Sequence, residues 1–273
     1  MDLQSTFQMN NGNRIPVMAM GSWDSRGEEG YQACLEALKA GYRHLDTASY
    51  YENEAQVGAA VKDSGIRREE IFVTSKIWYT DMVEGKQDAA FEKTLTQLGL
   101  DYVDLYLLHW PINDVAGSWK VLEKYYEQGL IKNIGVSNFN ERHLKELAQT
   151  ANVKPAVNQI EICPFLVQKE IVEYSQKQDI IVEAWGPLGK GTQLGEPEIV
   201  KLAKKYGKTP AQIILRWHLQ RGIVSLPKSV HKQRMVENAD IFDFELSKED
   251  MDIMSSMDGR AETGRGYPAE YVR

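Results

Sequence analysis

Four residues in the first half of the chain, Asp46, Tyr51, Lys76 and His109, have the types and spacing to manage a proton at a reacting oxygen. Asp46 follows the apolar run in YRHLDT, Lys76 closes IFVTSK, His109 stands near the end of VDLYLLHW, and Tyr51 lies five positions beyond Asp46. Adding hydride to a carbonyl leaves an alkoxide that needs a proton, and a phenol with an ordinary pKa of about 10 is a weak donor at neutral pH. A neighbouring ammonium lowers that pKa, and a carboxylate beside the ammonium keeps it charged and oriented. A neutral imidazole can donate to the carbonyl oxygen. Each residue also has an ordinary structural use: Asp as a helix cap, Lys as a solvated charge, His and Tyr as packing. A Lys at a strand end also supports a Schiff base with a carbonyl substrate, so the residue types leave two chemistries open.

These residues can meet only if the elements before them carry them to one place. Short apolar runs at 17–21, 42–47, 71–76, 103–110, 131–137, 156–161, 179–185 and 222–228 read as eight strands. Amphipathic stretches such as EEGYQACLEALKAG, NEAQVGAAVKDSG, VEGKQDAAFEKTLTQLG and TPAQIILRWHLQRG lie between them, several ending at Gly, a cheap left-handed helix cap. Ahead of the first strand, TFQM and RIPVM flank NNGN, where Asn11-Gly12 reads as a hairpin turn. Eight strand-helix units fit an α/β class (β/α)8 barrel better than an open sheet, and side chains at the carboxyl ends of barrel strands converge on one face. An open dinucleotide-binding sheet would carry GxGxxG after its first strand, where this chain has GSWDSRG. GPLGKGT at 186–192 fails as a P-loop because Gly191 is followed by Thr192 instead of Lys. From Gly259 the chain loses periodicity and is expected to be a loop that covers a ligand site or moves.

Composition narrows the classes. The 273 residues are 42% hydrophobic and 26% charged, enough to bury a sizeable core, and one domain over 1–273 is the simplest partition. Lys and Arg number 32 against 39 Asp and Glu, so a net charge of -7 offers no field for nucleic acid or an anionic membrane. An anionic ligand must then rely on a local basic cluster, and Lys228 with Arg234 supplies one. Cys34 and Cys163 have neither metal-ligand nor CxxC spacing, so no metal is expected and both read as reduced thiols. The start MDLQSTFQMNNGN has no basic-then-apolar leader, which points to the cytoplasm, and a monomer is expected.

GYRHLDTASYYENEAQVGAAV, FVTSKIW, DLYLLHWP, GVSNF, VNQIE, AWGPLG and LPKSVHKQRMVEN occur in that order, and over nearly the whole chain the sequence resembles the aldo-keto reductases. The resemblance implies an eight-stranded barrel with an amino-terminal hairpin cap and auxiliary helices, hydride transfer from NADPH, and aldehydes or ketones as substrates. It makes Tyr51 the general acid, Lys76 the group lowering its pKa, Asp46 the partner of Lys76, and His109 the residue that orients the substrate.

Carried further, the resemblance places Ser137, Asn138 and Gln159 on the nicotinamide carboxamide and the loop 188–195, after Gly186 and including Leu188, Gly189 and Lys190, over the pyrophosphate. Lys228, Ser229, Val230 and Arg234 match the segment that grips the 2′-phosphate, and Glu237 and Asn238 the positions near the adenine. Trp185 stands where the family usually has a stacking Tyr, and indole also offers an aromatic face. Cys163 replaces a common His, and His231 has no assigned role. Trp23, Trp78 and Trp110 match aromatic positions around the substrate. The short loop after His109 resembles microbial and protozoal members that reduce small aldehydes, α-dicarbonyls such as methylglyoxal, diketo sugar acids or, in prostaglandin F synthase-like members, prostaglandins. A catalytically silent cofactor binder and a Lys76 Schiff-base lyase are the competing functions.

Overall fold

The computed structural model describes residues 1–112 and 114–260. Its ten strands are β1 (Thr6–Gln8), β2 (Arg14–Pro16), β3 (Met20–Gly21), β4 (His44–Asp46), β5 (Phe72–Ile77), β6 (Leu105–Leu108), β7 (Ile134–Ser137), β8 (Val157–Glu161), β9 (Ile181–Trp185) and β10 (Ile223–Leu226). From β3 to β10 each strand pairs in parallel with the next. The sheet closes on itself through parallel bridges from Met18 to Ser225 and from Gly21 to Lys228. At that seam the backbones run close, and a Cβ on Gly21 would lie 3.1 Å from the Leu226 carbonyl oxygen. All eight strands expected from the sequence are present, most of them shorter at one or both ends.

Helices α1 (Gly27–Lys39), α2 (Glu54–Asp63), α3 (Tyr79–Val83), α4 (Gln87–Leu98), α5 (Val115–Glu127) and α6 (Glu141–Leu147) follow the early strands. The later ones are α7 (Lys169–Lys177), α8 (Pro197–Tyr206), α9 (Pro210–Gln220), α10 (Lys232–Ala239) and α11 (Lys248–Ser255). The single helix read from VEGKQDAAFEKTLTQLG is in fact the last residue of α3, a break, and α4.

The hairpin β1–β2 closes the amino end of the barrel. Ile15 is fully buried among Leu105, Leu107, Val157, Val224 and Leu226, an apolar plug inside the strands. Asn10 donates to the Pro155 carbonyl at 2.8 Å and Asn11 to Asn133 Oδ1 at 2.7 Å, fastening the turn to the barrel floor. The turn differs from the two-residue form expected, in which both central residues need positive φ. Only Gly12 has it, at 89°, while Met9 N–H donates to Asn13 O at 2.8 Å, giving a three-residue loop closed on a glycine. The carboxyl-terminal loop expected beyond Gly259 lies, after Arg260, outside the described residues. Among the described residues no helix is long and apolar enough to cross a membrane.

Candidate active site

Alternation along the strands aims every second side chain into the barrel, and at the carboxyl end those side chains are polar. Lys76, fully buried, donates from Nζ to Asp46 Oδ1 at 2.7 Å and to the Thr47 carbonyl at 2.8 Å. A short 3-10 turn, Ser49–Tyr51, brings Tyr51 back over this pair, and Ser49 Oγ pins it by donating to the Lys76 carbonyl at 3.0 Å. The loop is fixed from behind by Asn53, which accepts from Thr47 Oγ1 at 2.6 Å and donates to the carbonyls of Ser22 and Ser25. Lys76 Nζ lies 5.0 Å from the centre of the Tyr51 ring, and the Tyr51 and His109 rings meet edge-on at 5.9 Å. The structure thus brings Asp46, Tyr51, Lys76 and His109 together.

Protonation in this cluster follows from burial. Desolvation works against the Lys76 ammonium, but Asp46, Tyr51 and Glu183 outweigh it and its pKa is raised. Burial and the Lys76 charge hold His109 well below the ordinary imidazole range, so it is neutral and offers one N–H donor. Burial raises the Tyr51 pKa, Lys76 pulls it down, and the net shift is upward. The net lowering expected from Lys76 is therefore corrected: loss of water outweighs the ammonium, and Tyr51 rests as a phenol.

Opposite Tyr51, Gln159 Nε2 donates both to Asp46 Oδ2 at 2.9 Å, across the barrel, and to Glu183 Oε2 at 2.8 Å. Ser137 Oγ donates to the Gln159 carbonyl at 2.8 Å. Asn138, at φ 63°, donates to the His109 carbonyl at 3.0 Å and accepts from Trp185 Nε1 at 3.0 Å. That last bond needs an indole N–H, so Trp185 steers Asn138. Glu183 is a functional candidate that the residue patterns did not single out; its signal is a charge inside the apolar run DIIVEAW.

Further positions named from the sequence lie on the segments that follow β9 and β10. Gly186 and Gly189 have φ of 61° and 54°, and Gln193, buried beneath the loop, donates from Nε2 to Cys163 Sγ at 3.0 Å. Leu188 and Val230 pack against the core. Ser229 is buried, and its Oγ accepts from the His231 N–H at 3.1 Å. Lys228 and Arg234 are exposed and form no ion pair among the described residues. Glu237 accepts from Thr209 Oγ1 at 2.9 Å, and Asn238 is buried beside it.

An aromatic wall stands over the other side. Tyr50, also unmarked by the sequence patterns, is stacked between Trp23 at 5.7 Å and Trp78 at 3.9 Å. Trp78 meets the His109 ring edge-on at 5.0 Å, and the buried Trp110 lies parallel to it at 6.3 Å. Among the described residues no His, Cys, Asp and Glu group is arranged to hold a metal.

A closed α/β barrel with a buried Asp, Lys, Tyr and His at the carboxyl ends of its strands defines a class of catalytic scaffold. Residues 17–258 match the model of the aldo/keto reductase family, and the chain belongs to that family. It is 48% identical over 257 residues to glyoxal reductase of Bacillus subtilis (strain 168), covering 93% of each chain. It superposes on the aldo/keto reductase of Brucella melitensis with a TM-score of 0.90 at 44% identity, covering 93% of this chain and 99% of that one. On a Bombyx mori aldo-keto reductase in complex with NADP the TM-score is 0.88 at 35% identity, with 94% of each chain covered. Carbonyl reduction is the general activity that this membership supports.

Proposed function

We propose that this protein is an NADPH-dependent reductase of small aldehydes and α-dicarbonyl compounds, methylglyoxal-like compounds foremost, in which the carbonyl becomes a CH–OH group and Tyr51 gives the proton. The observation that carries the reading is the buried Asp46–Lys76 pair with half-buried Tyr51 over it and neutral His109 beside it. The relative named glyoxal reductase supports the α-dicarbonyl choice.

The residues fit the cofactor. Lys228 and Arg234 are cations without an ion-pair partner among the described residues, Arg suiting the planar oxygens of a 2′-phosphate and Lys acting as a point charge. Ser229 and Val230 complete that segment, while Glu237 and Asn238 would flank the adenine. Gly186, Leu188, Gly189 and Lys190 would cover the pyrophosphate, and Trp185 would lie against the nicotinamide. Ser137, Asn138 and Gln159 would hold its carboxamide. NADPH, when bound, supplies the hydride.

Tyr51 keeps its proton until charge grows on the substrate oxygen, then releases it from Oη. Lys76 stabilises the phenolate left behind, and Asp46 keeps the ammonium in place. His109 donates its N–H to the same oxygen and aligns it. Trp23, Tyr50, Trp78 and Trp110 enclose a small, partly apolar compound. The lyase alternative needs Lys76 as a free amine, whereas its pKa is raised and its charge paired. The reading extends to a single-domain monomer in the cytoplasm, where the buried thiols Cys34 and Cys163 stay reduced.

The test is NADPH oxidation by purified protein with glyoxal, methylglyoxal, simple aldehydes, diketo sugar acids and a prostaglandin substrate. Oxidation fastest with the α-dicarbonyls is the expected result. No carbonyl-dependent oxidation, or a borohydride-trapped adduct on Lys76, overturns it.

A further inference from the structure

We infer that Glu183 is a positioning residue for the cofactor: from beneath the site it holds the Gln159 amide in the orientation that turns its oxygen toward the nicotinamide carboxamide. The inference rests on the nicotinamide reading above.

Glu183 is fully buried in the middle of the barrel, one layer below Trp185 on β9. Its Oε2 accepts from Gln159 Nε2 at 2.8 Å, and the same nitrogen donates to Asp46 Oδ2 at 2.9 Å. An amide nitrogen has two hydrogens, and both are used here, one on each carboxyl group. The oxygen of Gln159 is then the polar atom left to meet a ligand, and an acceptor is what the NH2 of a carboxamide requires. Asp46 alone cannot enforce this, since its other oxygen is taken by Lys76 and a single bond leaves one amide hydrogen unpaired in a buried site. Unpaired buried donors are costly, so the amide would turn to share its groups differently.

The other Glu183 oxygen, Oε1, has no hydrogen-bond partner among the described residues; His44 Nε2 lies 3.9 Å away and is bonded to Thr74 Oγ1 at 2.8 Å. A residue that merely filled the barrel would be apolar here, because a half-satisfied buried carboxyl group destabilises the fold. Burial, and then the Asp46 charge, push Glu183 up to about 8, so at neutral pH it is an uncharged acid whose carbonyl oxygen still accepts. Lys76 and Asp46 are then left as a balanced pair. A glutamine at 183 offers the same acceptor and no charge.

The experiment measures dissociation constants, without turnover, for NADP+ and for its 3-acetylpyridine analogue, in which a methyl group replaces the carboxamide NH2. The wild type is expected to prefer NADP+ by about tenfold or more, the scale of one buried hydrogen bond. Glu183→Leu should narrow the preference to within about twofold, and Glu183→Gln should retain it. If Glu183→Leu does not fold, Glu183→Val, a residue suited to a strand, takes its place. A folded Leu or Val variant with the wild-type preference overturns the inference, as does loss of the preference in Glu183→Gln. Wild-type protein that binds no NADP+ at all overturns the nicotinamide reading instead.

Discussion

Lys76 and Lys228 are both lysines at the carboxyl end of the barrel, yet Lys76 is fully buried and bonded to Asp46, whereas Lys228 is exposed and forms no ion pair among the described residues. The residues around them differ in the same way. Around Lys76, the ammonium, the Gln159 amide and the Asn53 amide all donate to acceptors within the protein, so these dipoles are fixed before any ligand arrives. Near Lys228 and Arg234 the charges face solvent, where they act over distance and are screened by salt. On the proposed reading, one amino-acid type serves proton management where it is buried and ligand capture where it is exposed.

The sharpest way to break this contrast is Tyr51→Phe, which removes the proton donor without touching the exposed cations. Turnover should fall by about 10²- to 10⁴-fold while the NADPH dissociation constant stays within about twofold. Near-normal turnover in that variant removes Tyr51 from its role. Lys76→Met should lower stability by about 3–5 kcal/mol, because Asp46 is left as a buried charge without its cation. A urea-unfolding midpoint close to that of the wild type would mean that water reaches the pair after all.

Acid provides a third test of the buried end. Burial, aided by Lys76 for His44 and His109 and by Arg221 for His218, lowers all three pKa values, that of His44 to about 3. Below about pH 6.5 the unfolded chain binds three imidazole protons that the fold refuses. The fold already holds one on Glu183 that the unfolded chain lacks, which leaves a difference of about two protons from these four groups. Stability should therefore fall on acidification, by up to about 2.7 kcal/mol per pH unit between about pH 6 and pH 5. Unfolding midpoints that do not move over this interval would contradict buried neutral imidazoles.

Arg234→Ala is the smallest change and sharpens the exposed end. It should weaken NADPH by roughly 10- to 100-fold and leave NADH unchanged, with the gap shrinking as salt is added. Equal effects on both cofactors would refute the 2′-phosphate role.

The eight strands were legible because each is an apolar run bounded by turn residues, a signal that is local in the sequence. Asp46, Lys76 and His109 were legible for the same reason, as polar residues closing such runs. Glu183 was hidden because its meaning depends on Gln159 and, through it, on Asp46, which lies 113 positions from Gln159 in sequence and across the barrel. Tyr50 was hidden beside Tyr51, since only the fold shows which of two adjacent phenols joins the aromatic wall and which faces the lysine. The sign of the Tyr51 shift is not legible in the sequence because burial, the dominant influence, has no signature in residue types.

Four of the six tryptophans, Trp23, Trp78, Trp110 and Trp185, line the mouth of the barrel, while Trp119 and Trp217 are sealed among the outer helices. Most of the protein's ultraviolet-emitting side chains therefore stand at the site itself. A cofactor that absorbs in the emission band and settles against Trp185, as proposed, would dim that light and take up its energy, giving an optical gauge of occupancy.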